Sequence, residues 1–334
     1  MKILVLTDHL SHTEHDSIFS LFKEISLNDS CESLYIGSRG TSDNQHFFEG
    51  KTSNEIYCKK YDEKFTYCNK SWWELSSLSR KNTSEFNVIF LRIDYPINKK
   101  FLINLDQTFK GLIINNPNGT LKTGTKEYLL NFASLTPKIW ILSDINRIKD
   151  ISISMDIVIK PLRNYGGKGL IRLGKENYIG NEISTFSQTI EEIKKLLEKE
   201  KKVIVNEYLH GVTKGDKRII VVNGKILGAI LRLPSKGKWL CNLKEGARYI
   251  QTDITQNEEI IAKETSQVLK KEGVVLYGFD TLLNKDGKRV LTEINTSNVG
   301  GFVQIEKLGG KNIVKDASDL LVDYINEHLT SRAN

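Results

Sequence analysis

The sequence predicts an α/β fold divided into lobes, and three observations carry that prediction. The chain has 334 residues, more than a single hydrophobic core usually serves. Its apolar runs are short and β-prone, and they alternate with longer polar or amphipathic stretches. Two pairs of runs are joined by Asn223-Gly224 and Asp286-Gly287, dipeptides that close antiparallel hairpins.

Up to about residue 115, ILVL, VIFLRI and GLIIN read as strands of an open α/β unit, separated by helical or irregular segments. Residues 37–85 follow neither period, and a long insertion or loop holding Trp72 and Trp73 is expected there. After Asn116-Pro117 a helical stretch around KEYLLNFASL leads into Pro137 and the strand IWIL, which marks a domain boundary. DIVIKPL, NYGGKG and LIRLG then give strand, glycine turn and strand, followed by a helix through TIEEIKKLLEKEKK and the strand VIVNEYL. The hairpin RIIVVNGKILGAILRL comes next, then a helix from about Asn257 to Glu272 stopped by Gly273. A second hairpin and a terminal helix over about 311–328 complete the chain, with divisions expected at 1–118, 119–202 and 203–334.

Composition excludes several classes. With 39% hydrophobic and 27% charged residues and only 5 prolines, nothing suggests a disordered or fibrous chain. The apolar run at the N-terminus is too short for a signal peptide or a membrane span, so a cytoplasmic protein without membrane partners is expected. Cys31, Cys58, Cys68 and Cys241 form no C-x-x-C pair and read as reduced thiols. The net charge of +7 is spread along the chain without an aromatic-studded basic motif. An anionic small substrate therefore explains the sign as well as nucleic acid would, and no nucleic-acid partner is expected.

Residues 278–297, GFDTLLNKDGKRVLTEINTS, bring two carboxylates and an amide together without help from any other segment. If Lys285 and Lys288 close the turn, Asp280 lies opposite Glu293, with Asn295 two residues further along the same face. Facing like charges destabilise a sheet, so a cation is expected between them. Three hard oxygen donors suit Mg²⁺, which fills its remaining positions with water and phosphate. A solvated hairpin face with scattered acids is the plainer reading of the same residues.

Lys160 ends an apolar strand and precedes Gly166, Gly167 and Gly169, with Lys168 at the tip. Closely spaced glycines let backbone N–H groups approach phosphate oxygens, although a flexible turn would look the same. A lysine closing so apolar a run loses hydration on folding, so an anionic partner is expected for Lys160. Backbone groups at Glu207, Tyr208 and Leu209 could read an adenine edge, or simply end a buried strand. An Asn223-Gly224 turn puts Arg218 near Ala229 and Arg232 just beyond Asp216, both arginines toward the hairpin's open end. Two guanidiniums there would suit a transferring phosphoryl group, though surface arginines are common.

These residues resemble the ATP-grasp carboxylate–amine ligases, and within them the bacterial glutathione synthetases. The likeness is strongest from Asp156 to Ile305: VIKPLRNYGGKGLIRL, NEYL, GDKRIIVVNG, LRLP, GFDTL and TEINTS. Upstream, Arg92-Ile-Asp94-Tyr95-Pro96 is similar to the family's R-x-D-P-P, and NNPNGTLKTGTKEYLL to its N-x-P-x-x-L stretch. The resemblance implies an ATP-grasp fold behind an N-terminal open α/β domain, with ATP held between two lobes. Lys126 and Lys160 would contact phosphates or adenine, Glu207 to Leu209 the adenine edge, and Asp216 the ribose. The loop of Gly166, Gly167, Lys168 and Gly169 would close over the γ-phosphate. Asp280, Glu293 and Asn295 would hold two Mg²⁺ ions, Mn²⁺ being a possible substitute, while Arg218, Arg232 and Asn242 would serve catalysis. A substrate carboxylate would attack the γ-phosphate to form an acyl phosphate, from which an amine would displace phosphate, most simply joining γ-glutamylcysteine to glycine. The partners implied are small peptides or amino acids, and by analogy a second copy of the chain.

The chain departs from the family pattern at SNVGGF after the metal strand and at KGKWLCNLKEGAR, both of which would surround the peptide substrate. Two alternatives follow: an ATP-grasp ligase with another carboxylate and amine, or a nucleotide-binding regulatory protein without turnover.

Overall fold

The computed structural model describes residues 1–11, 18–51, 54–65, 70–164, 166–241, 246–309 and 311–333. Three β-sheets organise it. The first contains β1 (Lys2–Thr7), β2 (Ser33–Ser38), β3 (Glu55–Lys60), β4 (Ser79–Asn82), β5 (Val88–Leu91) and β6 (Leu112–Ile114), in the order β4-β3-β2-β1-β5-β6. β1 runs parallel to β2 and β5, and β5 to β6, as the nearly unbroken apolar runs require of strands buried on both faces. Helices α1 (Ile18–Ser26), α2 (Gln45–Phe48) and α3 (Lys99–Thr108) accompany this sheet.

Residues 37–85 correct the expectation of a loop, because β3 and β4 extend the sheet antiparallel, with β4 at its edge. EIYCKK is half polar and the edge strand SRKN wholly polar, so neither leaves an apolar run to recognise. Trp72 and Trp73 lie buried beside Phe65 and Phe22 in the core.

α4 (Pro117–Thr123) begins at Pro117, with the Asn116 side chain accepting from the Gly119 N–H. Gly119 sits so close to the next lobe that a Cβ would lie 1.8 Å from the Glu272 carbonyl oxygen. The second sheet follows: β7 (Ile139–Leu142), α5 (Ile145–Ser154), β8 (Ile157–Lys160), β9 (Ile171–Leu173), β10 (Tyr178–Ile179), β11 (Glu182–Ile183), α6 (Phe186–Glu200) and β12 (Val203–Glu207). Ile148 of α5 and Ile190 and Ile193 of α6 pack on its face. β12 is hydrogen-bonded between β8 and β7, so the expected division at 202/203 cuts a sheet. We propose that the division follows Glu207 instead.

The third sheet is antiparallel and comprises β13 (Asp216–Val222), β14 (Lys225–Leu233), β15 (Arg248–Gln251), β16 (Leu276–Leu283) and β17 (Arg289–Asn295), ordered β15-β14-β13-β16-β17. α7 (Gln256–Lys271) covers one face and stops before Gly273, whose φ of +68° suits a glycine. α8 (Phe302–Gly309) and α9 (Ile313–Ala333) cover the other. α8 was not anticipated within FVQIEKLGG, and α9 runs beyond the expected 328. Leu321 and Ile325 of α9 share a cluster with Ile3 and Phe22 of the N-terminal unit and Ile220 and Ile230 of the third sheet, so these two lobes are joined by one core. No helix among the described residues is long and apolar enough to cross a membrane.

Both hairpins carry a bulge. The Asp286-Gly287 turn is one residue longer than expected: the Asn284 N–H donates to the Lys288 carbonyl at 2.8 Å and the Gly287 N–H to the Asn284 carbonyl at 3.1 Å. Thr292 then bulges from β17 and restores the register, so Asp280 faces Glu293 and Gly278 faces Asn295. In the other hairpin the two-residue turn forms as expected, but Leu227 bulges from β14. Arg218 therefore faces Ile230 rather than Ala229, and Asp216 directly faces Arg232.

Candidate active site

A cleft opens between the second and third sheets. Lys160, Gly166 and Gly167 line it from one side, Asp216, Arg218, Arg232, Asp280, Glu293 and Asn295 from the other, and Glu207 to Leu209 where the lobes connect. Antiparallel pairing places Arg218, Asp280 and Glu293 in one row across β13, β16 and β17. The like-charge pair read from the hairpin therefore exists, and the cation beside it is Arg218, 62 residues upstream of Asp280.

Arg218 grips Asp280 with both Nε and Nη2, the latter donating to Oδ2 at 2.8 Å. Arg232 adds Nη2 at 3.0 Å from Asp280 Oδ2 and holds Asp216 with Nε and Nη2 at 2.6 and 2.7 Å. Burial opposes ionisation of Asp280, but the two guanidiniums overcome it and hold the carboxyl at about 2. Asp216 is pushed the other way: burial and the neighbouring Asp280 raise its pKa more than Arg232 lowers it. Glu293 lies 3.4 Å from Lys126 Nζ, which also donates to the Asn164 carbonyl. Burial and the nearby Lys126 hold the Lys160 ammonium below the usual lysine range, against the pull of Glu293, Asp280 and Asp216. Lysines and arginines thus converge on one end of the cleft, where they can neutralise an incoming polyanion.

The donors at that end fit a divalent cation. Asp280 and Glu293 offer hard oxygens across the strand pair, and Asn295 lies two residues beyond Glu293 on the same face of β17. Asn295 is buried, and among the described residues its Nδ2 has no hydrogen-bond partner. Among the described residues no three His, Cys, Asp or Glu gather into a metal centre. Two carboxylates and an amide leave most of the coordination shell to water and phosphate, as Mg²⁺ prefers.

The other end is apolar. Val158, Tyr208, Val212 and Cys241 form a buried cluster with Leu170, Trp239 and Leu282 around it, a slot suited to a flat heterocycle. Burial pushes the Cys241 thiol up to about 12, so it packs as a neutral wall. The Glu207 N–H donates to the Lys138 carbonyl at 3.0 Å and the Tyr208 N–H to the Asp156 carbonyl at 2.8 Å. Among the described residues no backbone acceptor takes the Leu209 N–H.

Asn206, beside this stretch, was missed from the sequence. It is 3% exposed and lines the cleft, and neither its Nδ2 nor its Oδ1 has a partner among the described residues. Its only signal is a polar residue inside an apolar run. Trp239 was noticed as part of an altered loop, not as a wall; its indole N–H donates to the Gly180 carbonyl at 2.7 Å. Two expected residues stand apart. Lys168 is exposed at its loop tip, and neither it nor Gly169 lines the cleft, although Gly166, Gly167 and Gly169 all have the positive φ their turn demands. Asn242 lies outside the described residues.

The family model for the prokaryotic glutathione synthetase ATP-grasp domain matches residues 125–310, more than half of the chain. The chain belongs to this ATP-grasp family. The glutathione synthetase of Agrobacterium fabrum is 30% identical over 260 residues, 76% of each chain. That of Mesorhizobium japonicum is 28% identical over 322 residues, 94% of this chain and 95% of its own. The ATP-grasp ligase PsnB, solved with a phosphomimetic variant of its minimal precursor, Mg and ADP, superposes with a TM-score of 0.61 at 14% identity, over 97% of this chain and 98% of its own. The ATP-grasp fold accounts for the cleft: the second and third sheets are its two jaws, and the first is the N-terminal unit in front of them.

Proposed function

We propose that this chain is an ATP-dependent carboxylate–amine ligase that joins γ-glutamylcysteine to glycine, forming glutathione, ADP and phosphate. The observation that carries the reading is the two-ended cleft, in which an apolar slot leads into an array of Lys160, Arg218 and Arg232 set against Asp280 and Glu293. Adenine occupies the slot, with its edge at Leu209 and Asn206, and the triphosphate runs past Gly166 and Gly167 toward the cations. Asp280, Glu293 and Asn295 hold divalent metal, two Mg²⁺ ions for preference and Mn²⁺ in their place. Bound there, the metal would supply neutralisation of the phosphate charge.

The chain's residues then position and neutralise. A substrate carboxylate oxygen bonds to the γ-phosphorus as its bond to ADP breaks, and Arg218 and Arg232 share the charge on the transferring group. The glycine amine attacks the acyl carbon of the resulting acyl phosphate, the C–O bond to phosphate breaks, and the amine proton passes to solvent. No His base is required, because phosphoryl transfer depends chiefly on positioning and electrostatics.

Incubation with ATP, Mg²⁺, γ-glutamylcysteine and glycine should yield the tripeptide and one ADP per amide, read by mass spectrometry and a coupled ADP assay. A second ligase reading is favoured by one observation. After Asn295 the substrate wall departs from the family pattern, and Asn298 is held between Arg92, at 2.6 Å, and Asp94. Phosphate release with another carboxylate and amine, and no tripeptide, would select that reading. ADP formation with no pair at all would leave a nucleotide-binding protein.

Asn206→Leu tests the nucleotide end. The KM for ATP should rise about tenfold, the loss of roughly one buried hydrogen bond, while kcat at saturation falls less and the melting temperature holds or rises. An unchanged KM would remove Asn206 from the site.

A further inference from the structure

Asn115 belongs to the N-terminal unit, just beyond β6, yet its side chain is sealed among the strands that carry the metal-binding groups. Its Oδ1 accepts from the N–H groups of Val275 and Leu276, both at 3.0 Å. Its Nδ2 donates to the carbonyls of Leu276 at 2.6 Å and Thr296 at 2.7 Å. That is the full capacity of a side-chain amide, two bonds accepted and two donated.

The need for it follows from the ladder. The β16–β17 pairing ends at Gly278 and Asn295, so the backbone groups beyond that pair would be stranded in a dry interior. One amide from the N-terminal unit satisfies four of them and joins the start of β16, the Asp280 strand, to the residue that follows Asn295. Thr123 makes a second tie, its hydroxyl 3.0 Å from that of Thr296.

Asn295 itself has no hydrogen bond on Nδ2 among the described residues. Its aim is therefore set by its backbone, which is held on one side by the pairing with Gly278 and on the other, where the ladder ends, at Thr296. We propose that Asn115 is a positioning residue for the metal end of the cleft, acting through Thr296 on Asn295. The inference rests on the ligase reading only in taking Asn295 as a metal ligand. The nucleotide end should be nearly indifferent to Asn115, because the adenine slot draws on β8, the segment after β12 and the Trp239–Cys241 stretch, and its one β16 residue, Leu282, lies at the opposite end of that strand from Leu276, which Asn115 holds.

The test is to titrate Mn²⁺ into ADP-saturated protein by electron paramagnetic resonance, and separately to measure ADP binding by calorimetry in EDTA. In Asn115→Ala, Mn²⁺ affinity should fall about tenfold or more, as when a residue behind a metal ligand is removed, while metal-free ADP affinity stays within about twofold. Thr123→Val, which loses one hydroxyl and no volume, should shift Mn²⁺ binding in the same direction by about threefold. Unchanged Mn²⁺ affinity in either folded variant, or an equal fall in both affinities, would overturn the proposal. Should Asn115→Ala fail to fold, Thr123→Val decides by the same criteria. Neither measurement needs turnover, so a wild-type protein that ligates nothing yet shows the selective Mn²⁺ shift would sink the ligase reading and keep this one.

Discussion

Replacing Glu293 with Gln is expected to lower turnover about a thousandfold, roughly 4 kcal/mol of transition-state stabilisation, without unfolding the protein. Glutamine keeps the shape and one carbonyl oxygen but removes the charge that would hold the metal against the γ-phosphate. The folded state should tolerate the change, because Glu293 faces Asp280 across the strand pair and the two like charges repel. Asp280 is a poorer probe, since Asp280→Asn would also leave Arg218 and Arg232 short of their partner. Steady-state phosphate release, beside a thermal melt, separates the outcomes. Turnover within tenfold of wild type would remove Glu293 from the metal site.

Lys217→Met should cost about 3–5 kcal/mol of stability, the usual consequence of stripping one partner from a buried ion pair. Lys217 lies between Asp216 and Arg218 on β13 but points to the opposite face. There its Nζ is 2.7 Å from Glu258 Oε2 and 2.8 Å from the Asp253 carbonyl, with both side chains essentially inaccessible. Glu258 also accepts from the Thr281 hydroxyl at 2.8 Å and from the N–H and hydroxyl of Thr255 at 2.9 Å each. The pair therefore fastens the start of α7 beneath the strand that carries Asp280.

Burial raises the Glu258 carboxyl, but the bonds from Lys217, Thr255 and Thr281 outweigh it and leave the pKa below the usual value. A depressed carboxyl stabilises the fold above its unfolded pKa and loses that contribution as the pH falls through its folded pKa. Without Lys217, burial would raise Glu258 above its unfolded value and reverse the slope. The variant's deficit should thus be largest near neutral pH and shrink in acid. Urea denaturation at several pH values reads this directly, and a deficit below about 1 kcal/mol or one independent of pH would contradict it.

Much of the site was legible because a hairpin is a local object. Asp280 came out opposite Glu293, although by two compensating features: a turn one residue longer than expected and a bulge at Thr292 that restores the register. The Leu227 bulge had no compensating partner, so Arg218 and Arg232 were each placed one residue off. What stayed hidden is what strands distant in sequence do to each other. The Arg218–Asp280 pairing depends on β13 lying beside β16, and no local pattern states it. The apolar slot joins Val158, Tyr208 and Trp239 from different lobes, and Asn206 becomes conspicuous only once its partners are seen to be missing. In the N-terminal unit, edge strands as polar as SRKN carry no apolar period, so the segment around Trp72 and Trp73 read as a loop although its aromatics are core.

The central claim is that the cleft activates a carboxylate by transferring the γ-phosphoryl group to it. The most direct test is turnover with γ-glutamylcysteine labelled with ¹⁸O in the glycyl-accepting carboxylate, followed by mass analysis of the phosphate released. One labelled oxygen should appear in phosphate for each amide formed, with ADP as the nucleotide product. Unlabelled phosphate accompanying amide formation, or AMP in place of ADP, would contradict the account.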